Sequence, residues 1–171
     1  MFARSLALAA FLMLAGCAAS VPDALAPGLR AELPRPALAL LEETARAVEA
    51  RDWDAYRATL NPEGFGEAVG FRVGGGGDRT AAISETLESA LGLGWVSTRV
   101  FPEGADRVEA PTAGLDRIAT LRFDAVTDRR PQADQLSVSG QVTLDDGTTL
   151  PVSVTVLRPS GPDPVLAVPQ G

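Results

Sequence analysis

The chain has 171 residues, a net charge of −7 and no histidine. Every one of its 15 basic residues is arginine, and there is one cysteine. These absences remove Ser-His and Cys-His nucleophile activation, imidazole-built zinc sites, lysine Schiff bases and the phosphate lysine of Walker loops. An acidic chain repels nucleic acid and anionic headgroups, so no nucleic-acid partner is expected. Carboxylates, hydroxyls, one tyrosine and arginine remain for chemistry, and no cofactor or metal is expected.

The first segment reads as an export signal. Arg4 is followed by an apolar run from Leu6 to Ala15, with small residues at its end. The run is far shorter than the ~20 residues of a spanning helix. Leu14-Ala15-Gly16-Cys17 resembles a lipobox, the cleavage motif of bacterial lipoprotein signals. The resemblance implies removal of residues 1–16 and fatty acylation of Cys17, with multiple chains giving a stable membrane anchor. The competing cut lies near Ala19 and leaves no lipid. Ala18 follows the cysteine where inner-membrane lipoproteins carry Asp, which points to the outer membrane and its periplasmic face. Cleavage leaves fourteen arginines against 22 acids.

Residues 17–35 hold Pro22, Pro27, Gly28 and Pro34 and are expected as a tether. Eighteen residues at ~3.1 Å each would reach roughly 55 Å. The alternatives are a segment packed on the domain surface, or a short frayed helix on Leu25, Leu29 and Leu33, which recur every four residues. A firm helix is expected from Pro36 to Arg51. Proline suits its first turn, and Leu38, Leu41, Ala45 and Val48 form one stripe. Glu42 and Glu43 stand within a turn of Arg46. Asp52 is placed to cap a short helix, Trp53 to Leu60, ending at Asn61-Pro62.

Val69, Phe71 and Val73 alternate, so the segment Phe65 to Val73 is expected as a strand. Gly74 to Gly77 forms a turn. It matches neither a Walker loop nor GxGxxG, and Asp78 would repel phosphate there. Asp78 instead suits the N-cap of a helix from Arg79 to Leu91, with Ile83, Leu87, Ala90 and Leu91 on one face and Gly92 and Gly94 ending it. Strands are expected at Trp95 to Phe101, Arg117 to Thr127, Leu136 to Leu144 and Leu150 to Val156. Asp145-Asp146-Gly147-Thr148 turns the last pair and lacks the ligand spacing of a calcium loop. Residues 159–171 are proline-rich and expected as a tail, with Val165 to Val168 able to add a short edge strand.

This order predicts an α+β domain over residues 36–158, with helices packed on a curved antiparallel sheet. It is similar to the NTF2-like (SnoaL-like, cystatin-like cone) superfamily, and Ala47 to Tyr56 resembles the end of that family's first helix. The alternative is another two-layer α+β sandwich. The resemblance implies a cone-shaped pocket, and enzymes of that fold such as ketosteroid isomerase use an Asp base with a Tyr donor. Asp52, Asp54 and Tyr56 are the candidates for that role, each also readable as a cap, a first-turn acid or a core ring. Trp53, Tyr56, Trp95 and Arg122 are the ligand-binding candidates, Arg122 sharing a strand face with Asp124. The expected function is non-catalytic binding of a small apolar ligand or an envelope protein. An isomerase- or cyclase-type enzyme is the alternative, and a homodimer through the sheet face is a third reading.

Overall fold

The structure, a computed structural model, describes residues 24–74, 76–93 and 114–169. Within them five helices precede an antiparallel meander: α1 (Pro27–Glu32), α2 (Arg35–Glu49), α3 (Trp53–Ala58), α4 (Pro62–Val73), α5 (Arg79–Ala90), then β1 (Ile118–Arg130), β2 (Gln135–Leu144), β3 (Thr149–Leu157) and β4 (Val165–Leu166). The strands lie in the order β1-β2-β3-β4. The result is a two-layer α+β fold with an open sheet. Cys17 and the lipobox, together with the run Trp95 to Phe101, lie outside the described residues.

Local chemistry accounts for the helices. Proline occupies the first turn of α1, α2 and α4, where its missing N–H costs nothing. Asp52 caps α3 by accepting from the Ala55 amide at 2.9 Å. Asp78 caps α5 through the Thr80 amide at 2.6 Å. In α2 the residues Ala37, Leu40, Leu41, Thr44, Ala45 and Val48 form the buried stripe, which lies across β1. Glu42 pairs with Arg30 at 2.7 Å, across to α1, rather than with Arg46 as its spacing suggests.

Two expectations are corrected here. Phe65 to Val73 is the body of α4, not a strand. Phe65, Ala68 and Val69 are buried at helical spacing, while Phe71, the middle residue of the alternating three, is 78% exposed. Pro62 starts this helix rather than stopping the previous one. Nor are residues 24–35 a tether: Leu25, Leu29 and Leu33 are all buried in the core. The Ala26 amide donates to the Phe123 carbonyl at 3.0 Å, and the Phe123 amide donates to the Ala24 carbonyl at 2.8 Å. The segment thus adds a parallel bridge at Leu25 to the free edge of β1. The leucine repeat every four residues was the signal, and burial outweighed the prolines.

The opposite edge is closed by the region expected as a tail. β4 pairs with Val156 and Leu157 of β3. On its far side the Leu166 amide donates to the Thr59 carbonyl and the Asn61 amide to the Leu166 carbonyl, both at 2.8 Å.

Alternation decides the faces of the sheet. Leu121 and Phe123 of β1, Leu136, Val138, Val142 and Leu144 of β2, and Val152, Val154 and Val156 of β3 are buried under the helices. Their neighbours form a face of Thr120, Arg122, Ser137, Ser139, Gln141, Thr143, Ser153 and Thr155. Three register shifts interrupt the β1–β2 ladder and bend β1. At Gly140 the backbones come so close that a Cβ would collide with the Arg122 carbonyl oxygen. The β2–β3 turn has Gly147 at φ +83°, and Arg117 reaches Asp146 at 2.5 Å to brace it.

Candidate functional site

The three residues predicted for acid-base work do not converge. Asp52 is exposed and its carboxylate is committed to the α3 cap. Asp54 is exposed in the first turn of the same helix. Tyr56 is fully buried, and its hydroxyl donates to the Leu87 carbonyl of α5 at 3.2 Å. Burial pushes that hydroxyl well above the usual phenol range, so it stays protonated. A side chain sealed in the interior and two facing water share no substrate position, so no isomerase-type pair is assembled by these residues.

The ligand-binding candidates scatter as well. Trp53 is half-buried and packs against the core as α3 begins. Arg122 lies on the polar face of the sheet, held by Asp124 at 3.0 Å. Trp95 falls outside the described residues. Arg117 turns to Asp145 and Asp146 in the hairpin.

A different set of residues forms a concavity. A groove of about 590 Å³ runs beside α3, the start of α4 and the strand β4. Leu60, Pro62, Phe65 and Val165 make its apolar surface, with Asp54, Arg57 and Arg158 among its polar groups. The Arg57 guanidinium stands over the Phe65 ring, 4.8 Å from its centroid, where the ring face attracts a cation. Arg158 follows β3 with φ +53°, an uncommon conformation for a residue with a side chain. Two backbone bonds hold it: its amide donates to the Asp134 carbonyl at 2.8 Å, and its carbonyl accepts from the Gly161 amide at 3.0 Å.

Sequence reasoning missed this groove because it needs α4 to be a helix. Reading Phe65 as the start of a strand removes it from the ring of residues around Arg57. The available signal was Asn61-Pro62 as a helix start, followed by apolar residues at 65, 68 and 69.

The remaining charged groups serve the fold. Arg72 binds the Ser89 hydroxyl at 3.0 Å and ties α4 to α5. Burial raises the Glu88 carboxyl above its ordinary value, against a lowering by the Leu115 amide, and Glu85 and Asp116 raise it further. Burial also raises Glu49, offset in part by the Leu121 amide. Among the described residues there is no cluster of three or more metal-binding side chains, and no helix is long and apolar enough to cross a membrane.

The sheet face that a dimer would have to bury is predominantly hydroxyl, amide and charged groups. Phe71, the exposed large hydrophobic residue of the described region, sits on α4 instead. No family model, no curated protein and no solved structure matches this chain.

Proposed function

We propose that this chain is a lipid-anchored lipoprotein of the bacterial outer membrane, facing the periplasm. Its α+β domain would bind a small, largely apolar ligand or an envelope protein without covalent chemistry. The observation that carries the reading is Leu14-Ala15-Gly16-Cys17 at the end of a basic-then-apolar leader. The start of the core at Leu25 supports it, since only eight peptide steps separate that residue from Cys17. At about 3.4 Å per step the link spans at most about 27 Å. An acylated Cys17 would hold the domain close to the bilayer, at half the reach expected of a free tether.

The binding role draws support from the groove beside α3 and β4, whose volume falls in the range of small-ligand sites. The finer fold assignment, an NTF2-like cone, belongs to the same proposal. It draws on the bulged, bent β1 with α2 laid across it. It departs from that family's order at residues 62–73, which are helical here.

The test is Cys17→Ser in the full chain, followed by membrane fractionation and metabolic labelling with radioactive palmitate. The wild type should take up label and fractionate with outer membranes. The variant should take up none, keep its leader or lose it elsewhere, and leave the outer-membrane fraction. A variant that is trimmed at the same bond and stays with the membrane overturns the anchor.

A further inference from the structure

The groove beside β4 brings two arginines and an apolar surface together. Acids outnumber bases in this chain, 22 to 15, and carboxylates are correspondingly easy to find. Arg30, Arg72, Arg117, Arg122, Arg129 and Arg130 each pair with one. Arg35, Arg46, Arg51, Arg57, Arg79 and Arg158 have no carboxylate partner among the described residues, and of these Arg57 and Arg158 line the same groove. Arg57 is held over the Phe65 ring, and Arg158 is fixed by a backbone in the left-handed region. Strained backbone of this kind persists only where surrounding bonds over-determine it, as the Asp134 and Gly161 contacts do here.

The surface beside these two cations is hydrocarbon. Pro62 is exposed and Val165 is half-buried, while Leu60 and Phe65 show only their edges to solvent. One acid, Asp54, joins them, which leaves the groove with a net positive charge on a negative protein. A guanidinium presents a planar fork of donors that matches a carboxylate. An apolar surface next to such forks suits a molecule with an anionic head and a hydrocarbon body.

We propose that this groove binds an aliphatic monocarboxylate of the fatty-acid type, its head between Arg57 and Arg158 and its chain along Pro62 and Val165. The proposal rests on the small-ligand reading above and names the chemistry of that ligand. Asp54 then acts as a brake on affinity, because its own carboxylate repels the head.

The experiment uses the full chain in native membrane vesicles and a dodecanoate carrying a diazirine in its alkyl chain. After irradiation, adducts are mapped by mass spectrometry. They should concentrate on residues 57–65 and 158–166, and dodecanoate should compete while dodecanol does not. Arg57→Gln and Arg158→Gln should each reduce labelling about tenfold, the scale of one hydrogen bond to a charged group. Asp54→Asn should raise labelling roughly threefold by removing a like charge. All three side chains are exposed, and unchanged thermal melts would show the variants folded.

Labelling that is insensitive to both arginines, or equal competition by dodecanol, overturns the site. Adducts concentrated elsewhere on the domain overturn it while sparing the small-ligand reading. No specific adduct anywhere overturns both. The anchor is judged separately: if the chain is not in the membrane fraction, the same labelling is run on the soluble fraction.

Discussion

The two edges of the sheet are closed in different ways. On β1 a single segment does the work. Leu25 bridges to Phe123, and Leu29 and Leu33 continue from it into the core. On the far side the closure comes in two pieces, β4 and the Thr59–Asn61 stretch, joined by two backbone bonds through Leu166. An open edge invites pairing with other chains, so both devices protect the same weakness. The one-piece closure is backed by leucines in series. The two-piece closure is short, and the groove lies beside it. β3 extends beyond β4, and there it carries Pro151, which has no N–H to offer a foreign strand.

Leu25→Ala and Leu166→Ala test that comparison with the largest expected effects. Each residue is completely buried, so each truncation should cost about 3 kcal/mol in urea unfolding. The two should differ in a second readout. Leu166→Ala loosens the clasp beside Arg57 and Val165 and should weaken carboxylate labelling per folded molecule. Leu25→Ala acts at the other end of the sheet and should leave it unchanged. A cost below about 1 kcal/mol for Leu25→Ala would detach the N-terminal segment from the fold and break the comparison.

Tyr56→Phe is the intermediate case. The ring stays and only the bond to the Leu87 carbonyl is lost, so stability should fall by about 1 kcal/mol. Carboxylate labelling should not move, because Tyr56 faces α5 and does not line the groove. A change in labelling larger than the change in folded fraction would return Tyr56 to the binding site.

Much of the fold was legible because it depends on local period. Leu136 to Leu144 and Leu150 to Val156 alternate cleanly, and both are strands with the expected inner faces. Asp52 and Asp78 cap the helices they precede. The failures came where local signals conflicted. In residues 65–73 a two-residue period and a helical one coexist, and packing against α5 chose the second. In 24–35 the prolines argued for a free tether, yet each falls at a helix start, where it is tolerated. The groove could not be read at all. It joins positions near 57, 62 and 158 to 165, and only the β4 pairing brings them together.

The smallest expected effect probes the junction between α5 and β1. Glu88 is the last acid of α5, close to Glu85, Asp116 and the Leu115 amide. Its carboxyl titrates above its ordinary value of 4.5, so the folded state holds that proton more tightly than the unfolded chain does. Folding stability therefore falls as pH rises from about 4.5 through the raised value, then stays at the lower level. Glu88→Gln removes this term, since an amide oxygen still accepts from Leu115 and carries no charge. The variant should melt slightly higher than wild type at pH 7, by about 0.5 kcal/mol after solvent screening, and the difference should vanish below pH 4.5. Asp146 has the opposite sign. The Thr148 amide and hydroxyl, with help from Arg117, lower its carboxyl, so its contribution disappears only as pH falls through that depressed value. Asp146→Asn should then leave the melt at the most acidic pH unchanged and lower it above pH 3.8. Opposite pH dependences in the two variants would separate the helical junction from the hairpin brace; parallel curves would mean that neither carboxyl is perturbed in the way its neighbours require.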